Sequence, residues 1–176
     1  MAYQTRQRDP LLDSKMQAAI EKRGKELLGL GLIVLGVLAA MMFVSYSPDD
    51  PNWMSATDAP VQNWLGRFGA SVAAPVFMIV GWGAWGIPVT LVGWGARLAL
   101  HRGEERALGR LIFAPIAVAV LAVYASTLVP GAGWNHSFGL GGMFGDTVLA
   151  LALTIVPFSA AFGAKLMSFI TGVSIV

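Results

Sequence analysis

The sequence predicts an all-α integral membrane fold, with three to four transmembrane helices and short interfacial amphipathic helices. Composition is the first reason: of 176 residues, 56% are hydrophobic and 12% are charged, against roughly 25% charged in soluble domains. Mean hydropathy is +0.65. The second reason is apolar runs long enough for spans of about 20 residues. The third is that lysine and arginine gather in some flanks and avoid others. With no cysteine in the chain, disulfides and thiolate chemistry are excluded.

Residues 1–26 form a polar segment with six basic residues against four acids. Asp13 or Ser14 stands where a helix cap would, and Met16, Ile20 and Leu27 fall near one face. A short interfacial helix on an anionic inner membrane surface is one reading, a solvated tail the other. The first span runs from Leu27 to Tyr46, longer than the core of a cleaved signal peptide. Gly29, Gly31 and Gly36 thin one side of it for helix packing.

"SPDDPNW" leaves that span with acids and prolines. In "DAPVQNWLGRFGA", Asp58 can cap, Pro60 suits a first turn, and Val61, Trp64, Leu65 and Phe68 repeat at helical spacing. The pattern predicts a short amphipathic helix on the membrane surface, with Trp53 and Trp64 at headgroup level. The apolar run 68–100 is too long for one crossing, so Pro75 is expected to open the second span, 75–97, and Pro88 to kink it. A third span covers 110–129, closed by Pro130-Gly131. The last segment lies within 147–176: either one helix from Thr147 to Lys165, or a partial segment to Pro157, a turn, and a crossing from Phe162. Residues 27–176 thus form one transmembrane anchor domain.

Orientation follows from the basic residues. Lysine and arginine number six in 1–26, one in 47–68, four in 97–110 and none in 129–142. Inner loops hold the excess of such residues, so the N-terminus and the 97–110 loop are inside and the acid-and-proline loop is exported.

Several motifs invite chemistry that their context denies. "GWGAWG" has the GxGxxG spacing of a dinucleotide fold, but Gly81 and Gly86 lie inside a span, where packing is their use. "GLGGMFGD" lacks the Lys-Ser or Lys-Thr of a phosphate loop and reads as a tight turn with Asp146 capping the next helix. His101 and His136 fall on opposite sides of the membrane and cannot share a metal. Asn135-His136-Ser137 is a formal glycosylation sequon, meaningful only in a eukaryotic secretory pathway. No catalytic set, cofactor or metal site is expected. Spans with so few polar groups suit an anchor better than a transporter.

In order along the chain come a basic start, "SYSPDDPNW" (close to S-[FY]-x-P-x-D-P-[SN]-W), "GIPVTLVGWGARLAL" and "GLGGMFGD". Together they resemble the N-terminal membrane domain of the FtsK/SpoIIIE family of bacterial septal DNA translocases. The resemblance implies a four-helix anchor in the cytoplasmic membrane at the division septum. It implies a longer polypeptide with a RecA-like ATPase, hexameric on DNA, beyond this region. It also implies self-association and contacts with other division proteins, with no DNA contact by this chain. Candidate partner-binding residues are Asp49, Asp50, Pro51, Trp53 and Trp64. Candidate helix-packing glycines are Gly31, Gly36, Gly81, Gly86, Gly141, Gly142 and Gly145. The competing expectation, from a different class, is a small structural subunit of a respiratory or photosynthetic complex.

Overall fold

The computed structural model describes residues 13–102, 113–155, 165–166 and 168–170. Among them lie α1 (Ser14–Val44), α2 (Gly66–Val80), a 3-10 segment (Gly81–Trp85), α3 (Gly86–Ala99), α4 (Phe113–Ser126) and α5 (Gly142–Ile155). Two stretches are long and apolar enough to cross a membrane: α1, and Gly66–Ala99 taken through the 3-10 segment.

Helix α1 is continuous where the sequence suggested a separate interfacial helix and a span. Leucine- and alanine-rich neighbours carry the backbone through its glycines. At 31 residues it is about 46 Å long. Asp13 occupies the N-cap position, yet its side chain makes no cap bond.

Helix α3 packs antiparallel on the second half of α1. A Cβ on Gly29 would stand 2.6 Å from both Ala99 N and Gly95 O, and one on Gly36 would stand 2.7 Å from Val92 Cγ2. The backbones touch because neither helix carries a side chain at the crossing. Gly31 faces open space, which corrects the expectation of one thin side made by all three glycines. Residues 29 and 36 are two turns apart on one stripe, and residue 31 is about 200° away from residue 29. Toward the loop end, the core is a mix of small and aromatic residues: Ala39, Phe43, Ala73, Phe77 and Ala84, flanked by Tyr46, Trp85 and Trp134. Phe43 meets Phe77 and Trp85 edge-on at 5.6 and 6.2 Å between centroids.

Three sequence expectations are corrected here. Residues 58–65 are not helical, because the backbone N–H groups of Gln62 and Asn63 are bound to the Asp50 carboxylate in the loop, and that of Trp64 to Ser45 Oγ at the end of α1. Pro75 lies inside α2 and does not start a helix. A proline there frees the carbonyl four residues back, and that carbonyl, of Ser71, accepts the Trp53 Nε1–H at 3.0 Å. The break falls at Gly81 (φ +52°), not at Pro88, which sits in the first turn of α3 where its missing N–H costs no hydrogen bond.

The junction of 156–164 that would separate the two readings of the last segment lies outside the described residues, as do residues 103–112.

Candidate interaction face at the loop end of the bundle

Two loops, 45–65 and 127–141, meet at one end of the bundle, and each is held by a carboxylate. In the first, Asp50 is 1% exposed. Its Oδ1 accepts the N–H of Gln62 at 2.7 Å, and its Oδ2 accepts the N–H of Asn63 at 2.9 Å. Proline-rich, irregular chain has no ladder to satisfy its amides, so a carboxylate does so. Asn63, also buried, extends the bracket: its Nδ2 donates to Met42 O at 2.9 Å, and its Oδ1 accepts from Leu65 N. Ser45 Oγ donates to Met41 O and accepts from Trp64 N. The loop is thereby tied to the last turn of α1.

Asp146 does the same for the second loop. Its Oδ2 accepts the Gly139 N–H at 2.7 Å, and its Oδ1 accepts Ser126 Oγ–H at 2.8 Å. It lies in the second turn of α5, so it reaches back to the loop and to α4 and does not cap its own helix as the sequence suggested. Between the two brackets, His136 stacks on Tyr46 (5.7 Å, 11°) and Phe138 (4.9 Å, 18°), with Trp134 edge-on at 4.3 Å. Burial lowers the His136 pKa from its ordinary value.

The glycines of both motifs join here. Gly81 and Gly142, both with positive φ, meet backbone to backbone: a Cβ on Gly142 would stand 2.6 Å from Gly81 N and from Ile79 O. The Trp82 N–H donates to Leu140 O at 2.7 Å, so the loop fills the gap left where α2 breaks. Cβ atoms on Gly141 and Gly145 would meet Ala122 and Ser126 of α4, and Gly86 faces Val118. These five glycines sit at crossings, whereas Gly31 does not.

Of the five candidate partner-binding residues, the structure brings Asp49, Trp53 and Trp64 to the surface and buries Asp50 and Pro51. Asp50 therefore holds the loop from within and offers no carboxylate to a partner. Trp53 is 72% and Trp64 65% exposed. Asn63 and Ser45 were not singled out from the sequence. Their signal was there: polar residues at the edges of apolar stretches, where each must find a partner.

Away from this end, a cleft of about 460 Å³ opens between α3 and α4, lined by Ile87, Leu91, Trp94, Pro115, Val118 and Phe144 among others. Thr90, its one hydroxyl, is satisfied by Gly86 O. This lining suits hydrocarbon. Among the described residues, no group of three His, Asp or Glu is placed to hold a metal.

Long apolar helices, an apolar cleft between them and two loops tied by Asp50 and Asp146 define a helical membrane region. Residues 21–176 match the family described as the 4TM region of DNA translocase FtsK/SpoIIIE. The chain belongs to this family, through that membrane region. It is 33% identical over 138 residues to DNA translocase FtsK of Bradyrhizobium diazoefficiens, covering 78% of this chain and 17% of that protein. To DNA translocase FtsK of Azospirillum brasilense it is 29% identical over 145 residues, 81% of this chain and 23% of that protein. The Caulobacter vibrioides protein of the same name is 25% identical over 141 residues. The chain thus spans less than a quarter of the length of the curated relatives it matches. No solved structure matches it.

Proposed function

We propose that this chain is the membrane anchor, oligomerisation and division-protein interaction domain of a bacterial DNA translocase that acts in chromosome segregation at cell division. The observation that carries the reading is the match of residues 21–176 to the 4TM region alone. The ATPase motor belongs to a part of the polypeptide beyond this region, and the chain itself touches lipid, its own copies and division proteins, not DNA. Residues 1–26 are the cytoplasmic segment and 27–176 the anchor of three to four spans.

The inner membrane, with the N-terminus inside, is the proposed location. The bundle supports this orientation through its contacts. Ser45–Trp64 and Tyr46–His136 gather the two loops poor in basic residues at one end. Glu26 and His101, 3.7 Å apart, bring the two basic flanks to the other. Asp49, Trp53 and Trp64 are the proposed partner contacts on the exported face.

A fluorescent fusion of the 176-residue chain, expressed in dividing bacteria that keep their own translocase, tests the reading. A band at the septum is the expected result. Uniform membrane fluorescence through division would overturn the recruiting role.

A further inference from the structure

Both ends of α2 lie against the same turn of α1. At its start, Asn63 Nδ2 bonds Met42 O and Trp64 N bonds Ser45 Oγ, each at 2.9 Å. Toward its end, Phe77 stacks on Tyr46 at 4.4 Å and meets Phe43 at 5.6 Å. Eleven residues of helix separate Gly66 from Phe77, a rise of about 16 Å. Were α2 antiparallel to α1, that rise would place Phe77 beside residues 31–34. Gly95 of α3 occupies that stretch, where a Cβ on it would meet Ile33. Helix α2 therefore runs across the end of α1, not along it.

The remaining segment is long enough to cross without it. Five 3-10 residues at about 2.0 Å and fourteen α-helical residues at about 1.5 Å give Gly81–Ala99 roughly 31 Å, close to the thickness of a hydrocarbon core. One face of α2, with Gly69, Ala70, Ala73, Ala74 and Phe77, is buried on the bundle. The opposite face carries Phe68 (71% exposed), Val72, Pro75 and Ile79 (54% exposed). It bears no charge, and Arg67 stands alone at its start. Such a face is costly in water and stable in lipid.

We propose that α2 is an in-plane helix seated in the outer-leaflet interface, its Phe68–Ile79 face immersed among lipid chains and Arg67 at the level of the phosphates. Its depth is set by the Ser45 and Asn63 bonds to the turn where α1 leaves the hydrocarbon. On α1, Val37, Met41 and Val44 are likewise exposed apolar side chains.

This inference rests on the spanning role of α1 in the proposed function, and the test separates the two. The chain has no cysteine, so single cysteines at Phe68, Val72 and Ile79, with Val37 on α1 as reference, each carry one nitroxide. The full 176-residue chain is reconstituted in phosphatidylethanolamine–phosphatidylglycerol vesicles, and collision with oxygen and with a water-soluble nickel chelate reads depth. The expected result is one shared shallow depth for 68, 72 and 79, with Val37 deep. A depth that grows by about 16 Å between 68 and 79 would overturn the in-plane placement while leaving the span intact. Full nickel access at all three would show a face in water. Exclusion of both quenchers would show a face covered by a second copy. Either of these overturns the lipid assignment. A shallow Val37 would remove the spanning reading and this inference together.

Discussion

Asp50 shows how one residue can be legible in a sequence while its task is not. The acid of a proline-rich loop poor in basic residues reads as a partner contact, yet both its oxygens are spent on backbone amides inside the chain. Asp50→Asn keeps the shape but leaves one amide facing a donor, a loss of about 1–3 kcal/mol by the cost of an unmet buried group. Asp49→Asn, at an exposed site, should stay within about 0.5 kcal/mol. Denaturation of both variants in mild detergent checks the contrast, and equal midpoints would remove the bracket role. His136 adds a pH dependence. Its folded pKa is depressed by burial between aromatic rings, so the unfolded chain binds the proton more readily. Stability from this packing is complete above the ordinary value of about 6.5 and is lost as pH falls through that value toward the lowered one. Near-ultraviolet circular dichroism of the unaltered chain should report loosening of the aromatic loop packing below pH about 6.5, and His136→Phe should abolish the change.

For the helices, periodicity and punctuation marked existence better than limits. The apolar run after residue 68 announced a break, and proline was the natural suspect for it. The break instead falls at Gly81, where a positive φ and the arriving loop at Leu140–Gly142 reinforce each other. Nothing local to Gly81 announces a carbonyl arriving from sixty residues away. Helix α1 permits a direct comparison of two glycines. Gly36→Leu would drive a side chain into Pro88, Leu91 and Val92 of α3, and overpacking of this kind costs about 1–3 kcal/mol or more. A Cβ at Gly31 meets nothing among the described residues, so thermal unfolding should separate Gly31→Leu from Gly36→Leu clearly. If Gly31→Leu lowers only the oligomer fraction in crosslinking, Gly31 is a contact between copies. Equal loss of fold stability in both variants would refute this division of roles.

As a whole, the molecule is a bundle whose two carboxylate brackets face the same end, and this shapes how partner binding must be tested. Replacing Asp50 or Trp53 would disturb the loop itself, because Asp50 holds Gln62 and Asn63 and Trp53 satisfies the carbonyl freed by Pro75. Asp49→Asn combined with Trp64→Ala changes exposed side chains and keeps those bonds. This double variant should insert normally and show a septal fraction reduced several-fold in fluorescence imaging. Unchanged recruitment would exclude these two side chains as the contact. The sequence by itself determined the membrane class, the approximate positions of the long apolar elements and the family, because composition, hydropathy and ordered motifs are properties of the chain read in one dimension. Tertiary structure alone decided that Asp50 and Asp146 serve loops, that Gly29 and not Gly31 meets α3, and that α2 crosses the end of α1. Each of these depends on which backbone amide or helix face arrives from elsewhere in the chain, and no local pattern of residues encodes that arrival.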